Sequence, residues 1–439
     1  MKKTVFLAAA AVALASCSSD ELVNNSAVNE APIAFNVGQK NITRAEPQKL
    51  EDTGHYNFGV WAYKYKTDGT NQLVMENYLV GYSDGTSKGY DNSKVKESTW
   101  AGSTSSLTDH KSPWFYEGLG SSEYSYTGDA SFYKTSESAR ANQYLRYWDL
   151  AYATTNFYAY TPYKATGVTF SESDKKITVG DGILKAGYDA PANEFLYAGA
   201  VKDNKNMEDV ELKFKHLGAQ VKLRFYEDIP GYKVTIIDVK EDKSGIQATP
   251  AVYNETEKKY EKSNYYTVCG AEISYSKIDE PTATATYDET THPKSDNNLK
   301  FAVPTGTIPE AGANSPQEYA TSGTTYYPVP QPADSKTGFT FHVSYTLKAK
   351  DNGETITVHD ARVFVPAKSG DSFVAAWQPN TIYTYTFKIT TDATGTTNPK
   401  SDDIDPTDPT IPTTKALYPI VFDGATIEEY KTSGSEQNF

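Results

Sequence analysis

The sequence predicts an all-β protein built as two β-sandwich domains in tandem, and three observations predict it. The first is composition: 439 residues include 34 Tyr, 18 Phe and 5 Trp against only 3 Met. Tyrosine, phenylalanine and threonine favour pleated, half-buried surfaces. The second is pattern. From Tyr56 onwards short alternating or apolar-aromatic runs follow one another, separated by clusters of Gly, Ser, Asp and Asn such as residues 83–94. Many short strands between turn signals argue for sandwiches. The third is length, which exceeds one ordinary domain.

Composition also excludes function classes. A net charge of −14 opposes sequence-independent phosphate binding, so nucleic acid is not a partner. Cys17 and Cys269 are the only cysteines, and the six histidines form no cluster with them in the sequence. Without CxxC or HExxH spacing there is no case for a metal site. Phosphate-cradling glycine loops and the GxSxG nucleophile turn are absent too. The chain does not read as an enzyme and calls for no cofactor.

The N-terminus has the form of an export signal. Lys2 and Lys3 precede the apolar run Thr4–Ala15, which is too short to span a bilayer and suits a signal-peptide core. Leu14-Ala15-Ser16-Cys17 resembles a bacterial lipobox, in which the cysteine thiolate accepts the lipid. Residues 1–16 are then the signal peptide and Cys17 the lipidated first residue. An ordinary cleaved signal with an incidental cysteine is the competing reading. Once Cys17 is acylated, Cys269 has no partner, and in TVCGAEI it reads as a small buried hydrophobe.

After a polar tether, Ile33–Thr43 alternates, with Ile33, Phe35 and Val37 on one side. This is a strand signal, and Arg44 and Ala45 follow it directly. The tether and strand make up residues 17–44. The first sandwich is expected over 45–228 and the second over 229–391, divided where Pro230-Gly231 breaks two strand runs. The runs 57–65, 71–82, 154–163, 193–201 and 210–228 belong to the first. Those at 232–241, 264–275, 282–287, 339–350, 354–367 and 381–391 belong to the second. Ser136–Leu150 is the best candidate for a helix.

Residues 392–414 are rich in proline and aspartate with almost nothing apolar, so they read as an extended linker. Beyond them 416–430 alternates again. Tyr418, Ile420 and Phe422 fall on one side, and Ile427 extends the apolar set. A lone strand on a flexible arm needs a sheet to join.

Together these features resemble the fimbrillins, the subunits of type V pili in Bacteroidales. The resemblance is carried by LASC (14–17), IAFNVG followed by Arg44, FKHLGAQVKLRF (214–225), WQPNTIYTYTFKIT (377–390) and the terminal ALYPIVFDGA. It covers nearly the whole chain. It implies two transthyretin-like sandwiches and a lipoprotein precursor at the outer membrane. It further implies an arginine-specific protease that cuts between Arg44 and Ala45, releasing the strand with Ile33, Phe35 and Val37. The groove left behind would take a donor strand, here Tyr418, Ile420, Phe422 and Ile427, from another copy. The product is a head-to-tail homopolymer, a surface fimbrium supporting adhesion, with tip and anchor pilins as further partners. The terminal strand favours a shaft subunit.

Plainer readings stand beside this one. His216 reads as a core or edge histidine with one hydrogen bond. The five tryptophans read as core anchors before they read as a glycan platform. Asp402, Asp403, Asp405 and Asp408 lack the spacing of a calcium loop. A surface glycan-binding lipoprotein is the alternative function, and it leaves the linker and terminal strand unused.

Overall fold

The structure, a computed structural model, describes residues 31–36, 50, 55–82, 114–116, 124–127, 131–134, 143, 146–163, 165, 167–181, 194–238, 246–256, 259–291, 293–294, 299–311, 319–321, 330–333, 336–390 and 420–429. Among these the protein is all-β, with no α-helix.

A six-stranded sheet occupies the centre of the N-terminal half. Its order is Lys215–His216, Leu196–Asp203, Thr154–Thr161, Asn57–Tyr65, Asn71–Tyr82 and Trp114–Phe115. Strand period sends successive side chains to opposite faces. Phe58, Val60, Phe157, Ala159 and Ala198 therefore enter one core, while Trp61, Tyr158, Tyr160 and Tyr197 enter another. Because both faces of Asn57–Tyr65 and Thr154–Thr161 are largely buried, these two central strands read as mostly apolar-aromatic.

The first face is covered by Phe35–Asn36, paired parallel with Val210–Glu211, and by the segment around Trp148. The second is covered by a four-stranded sheet in the order Thr282–Tyr287, Val268–Ser274, Lys176–Val179 and Thr169–Ser171. Two of those strands lie beyond residue 229 in sequence yet pack on the N-terminal half. Gly199 permits this approach: a Cβ there would stand 1.9 Å from the Ile278 carbonyl oxygen.

The third core belongs to the C-terminal half. Ala219–Asp228 runs parallel to Thr381–Thr390 in unbroken register, with Ala320–Thr321 and Ile420–Glu429 outside them. Opposite lies a sheet containing Tyr232–Ile237, Thr337–Ala349 and Ile246–Asn254. Pro230-Gly231, with Gly231 at φ +86°, turns the chain from one of these sheets to the other. The division expected at 228/229 thus falls inside a single core, which already includes Ala219, Val221, Leu223 and Phe225. Trp377 anchors it, fully buried and stacked on Phe339 at 4.3 Å between ring centroids. Its Nε1 donates to the Tyr385 hydroxyl at 2.9 Å, and that hydroxyl donates to the Val374 carbonyl at 2.6 Å. Burial holds both Tyr383 and Tyr385 above the ordinary tyrosine range, Tyr383 at about 12.

Two local expectations need correction. The described part of Ser136–Leu150 is not helical: Tyr147 bridges Pro32, and Ile33 N donates to Arg146 O at 2.7 Å. Tyr147 is 45% exposed while Gln143 is buried in hydrogen bonds to Leu79 and Tyr116, so backbone pairing with residues 31–33 and these distant partners set the segment's course. Cys269 is half-buried rather than buried. It sits at an irregularity between Val268 and Gly270, its Sγ 3.5 Å from Thr286 Oγ1.

Candidate functional site

The chain's two outlying strands enter the sheets in different ways. The N-terminal one is threaded between segments that do not pair with each other. On one side Ile33 N donates to Arg146 O at 2.7 Å and Trp148 N to Ala31 O at 3.1 Å. On the other, Val210 N donates to Ala34 O at 2.7 Å. From below, the Tyr116 hydroxyl donates to Ile33 O at 2.9 Å. Gln143 positions that tyrosine, donating from Nε2 to both Leu79 O and Tyr116 O at 2.8 Å. Removing residues 31–36 would take the acceptors from Trp148 N and Val210 N and leave Arg146 O only the longer bond from the Tyr116 hydroxyl at 3.3 Å, and buried backbone groups without partners are costly.

The side chains tell the same story. Ile33 and Phe35 are buried, Phe35 completely. The Phe35 ring meets Phe58, Tyr116 and Phe157 edge to face, with centroids 5.6, 5.8 and 5.8 Å away. Edge-to-face pairs add to the gain from area alone. Without Phe35 the three partner rings would line an open apolar slot.

The C-terminal strand, Ile420–Glu429, lies at an edge. It pairs antiparallel with Thr381–Thr390, and among the described residues no strand pairs with its outer side. Ile420 is buried, Phe422 is half-buried and Ile427 is 36% exposed. These three cannot share a face of a regular strand, because Ile427 lies an odd five positions after Phe422. A bulge solves this: Phe387 pairs with Phe422 but Thr386 with Gly424, leaving Asp423 extra. Gly424 takes φ +139°, which a residue with a Cβ rarely adopts. Past the bulge Ala425 and Ile427 lie opposite Tyr385 and Tyr383. The odd spacing around a glycine was the signal for the bulge, and the simple alternation missed it. The Tyr226 hydroxyl donates to Asp423 Oδ2 at 2.6 Å. Burial first, and that carboxylate second, push the Tyr226 pKa up.

FKHLGAQV forms the crossover between the cores: Phe214, Leu217 and Ala219 each enter a different one. His216 Nδ1 lies 2.8 Å from Glu194 Oε2, and its backbone N donates to Asn380 Oδ1 at 3.0 Å. No periodicity pointed to Tyr116, Arg146, Glu194 or Asn380, whose partners are all distant in sequence. Among the described residues no group of three or more His, Cys, Asp or Glu side chains could hold a metal ion. Trp61, Trp114, Trp148 and Trp377 are buried. Cys17, Val37, Arg44, Ala45, Trp100, Asp402, Asp403, Asp405, Asp408 and Tyr418 lie outside the described residues.

Over residues 114–402 the sequence matches a family model described as fimbrillin-like. No curated protein matches it. The chain is similar to a solved fimbrial protein from Bacteroides vulgatus ATCC 8482, at 13% identity and a TM-score of 0.43, covering 85% of this chain and 93% of that one. It is also similar to the fimbrial anchor protein Mfa2 from Porphyromonas gingivalis, at 10% identity and a TM-score of 0.24, covering 92% and 98%.

Proposed function

The chain belongs to the fimbrillin-like family, and from that premise we propose that it is a structural subunit of a surface fimbria, joined to its neighbours by strand exchange. The observation that carries the reading is the contrast between its two end strands. One is threaded through a core where its loss leaves a complete slot; the other sits at a sheet edge, half-buried, behind a proline- and aspartate-rich linker.

The precursor reaches the outer membrane lipidated at Cys17. An arginine-specific protease cuts after Arg44, since arginine's fixed cation suits an acidic specificity pocket. Release of the strand with Ile33 and Phe35 opens the slot, and the terminal strand of a second copy fills it by strand addition. The linker spans about 24 residues at most ~3.1 Å each, so it reaches ~70 Å, enough to cross to a neighbour. With one strand and one slot per copy the contact is heterologous and generates a filament. Tip and anchor pilins end it. No catalytic role is assigned. The glycan-binding alternative loses its main support, because the four described tryptophans are interior.

Negative-stain microscopy of the chain before and after cleavage tests this. Filaments are expected only after cleavage, and Arg44→Ala is expected to stay monomeric and membrane-bound. Normal filaments from Arg44→Ala would overturn the proposal. Palmitate labelling of the wild type and not of Cys17→Ala tests the lipid anchor.

A further inference from the structure

The two end strands share a sequence. Pro32-Ile33-Ala34-Phe35-Asn36 and Pro419-Ile420-Val421-Phe422-Asp423 agree as Pro-Ile-small apolar-Phe-Asn/Asp, and Pro-Ile occurs nowhere else in the chain. We infer that the terminal segment is a built-in copy of the threaded strand and fixes the register of exchange: Ile420 takes the place of Ile33 and Phe422 that of Phe35 in a second copy of this chain. The inference rests on the strand-exchange reading and adds to it which residues of the donor enter which positions.

The slot's demands match the repeat at its first four positions. At the Pro32 position the ladder bonds are made by Ala31 O and Ile33 N, so no N–H is asked of the proline, and Pro419 meets the same condition. At the next two positions the slot engages Ile33 N, Ile33 O and Ala34 O. These are backbone groups that Ile420 and Val421 supply equally. The fourth position requires a ring that Phe58, Tyr116 and Phe157 can surround.

The fourth position also gives the exchange its direction. In its own sheet Phe422 is only half-buried, with Tyr385 and Phe387 both at 6.3 Å between centroids. The slot buries a phenylalanine completely, with three rings at 5.6–5.8 Å. The same side chain therefore sheds more apolar surface in the neighbour than at home. At the fifth position the match is imperfect. Asn36 pairs with Glu211, so Asp423 would set like charges side by side, which is unfavourable.

Photo-cross-linking tests the register. Filaments of the Arg44-cleaved chain carrying p-benzoylphenylalanine at 422 are expected to cross-link, between copies, to segments holding Phe58, Tyr116 or Phe157. If position 427 reaches those segments and 422 does not, the register is overturned while strand exchange stands. If neither position links copies in filaments that still form, exchange through this segment is itself overturned. Should the bulky label block assembly, peptides decide. A peptide of residues 419–429 added to cleaved full chain is expected to stop growth, as is one of residues 32–38. Phe422→Ser in the former should raise the required concentration at least about tenfold, and Ile427→Ser less than about twofold. Equal losses overturn the register, and failure of every peptide overturns exchange. Asp423→Asn should lower the required concentration, most visibly at low salt.

Discussion

Asn380 Nδ2 donates to the Glu429 carboxylate at 3.0 Å, joining the start of the Thr381–Thr390 strand to the far end of the terminal one. The same asparagine accepts from His216 N through Oδ1 and donates from its own N to Gly218 O, both at 3.0 Å. It does so at φ +56°, a region asparagine enters more readily than most residues. Asn380 thus clasps the crossover, the closing strand and the terminal strand together.

Replacing Asn380 with alanine removes the two side-chain bonds, keeps the backbone bond to Gly218 O and keeps the left-handed backbone. The expected loss is about 2–4 kcal/mol, combining the half-buried His216 N–H that loses its acceptor with ~1 kcal/mol of backbone strain. Asn380→Gly should lose less, since glycine relieves the strain. Urea unfolding of both variants checks the order. Glu429→Gln should change little, because Glu429 is 71% exposed in its pairing with Lys215, and exposed pairs contribute little.

Gly424→Val places a branched side chain at φ +139° in the bulge. The expected strain is about 1–3 kcal/mol, borne by an edge strand. The terminal strand should leave its sheet while the rest stays folded. Hydrogen exchange across 420–429 should speed up, with Thr381–Thr390 losing protection only on its outer side.

Phe35→Ala in the uncleaved chain should cost about 3–5 kcal/mol, as for other fully buried aromatics. Once residues up to Arg44 have been cut away and the strand has left, the substitution should have no effect. Thermal unfolding of both forms measures the difference. Equal destabilisation would mean that Phe35 stays in place after cleavage.

His55 donates from Nε2 to Glu194 O at 2.9 Å, and burial is the main cause that holds its pKa below the ordinary 6.5. The unfolded chain therefore takes up this proton first as pH falls. Above pH 6.5 the group is neutral in both states and adds no slope. Below it, stability should fall by up to about 1.4 kcal/mol per pH unit until the folded value is passed. His55→Gln keeps a donor toward Glu194 O and should flatten that slope, as read from urea midpoints at about pH 7 and about pH 5.

Strands 57–65 and 154–161 were legible in the sequence because most of their residues report burial directly: both faces are core over most of their length, and aromatic runs have few other uses. The terminal strand was legible as far as Phe422 from plain alternation, with Ile420 and Phe422 on one side. Its second half was not, because one extra residue reverses which side chains face inward, and periodicity assumes none is inserted. The helix expected at Ser136–Leu150 failed because a weak helical period competes poorly with backbone partners supplied from a distance.

The sequence by itself determined what depends on local chemistry: the all-β class and the apolar identities of Ile33, Phe35, Ile420 and Phe422. Tertiary structure decided what depends on meeting. It set Val268–Ser274 and Thr282–Tyr287 on the sheet of the opposite half, with Gly199 leaving room for the Ile278 carbonyl at the contact. It also surrounded Phe35 with three rings from strands and loops up to 122 residues away in sequence (Phe157 against Phe35). Strand pairing is non-local: period and composition state that a strand has a buried face, and only the fold states which strand it faces.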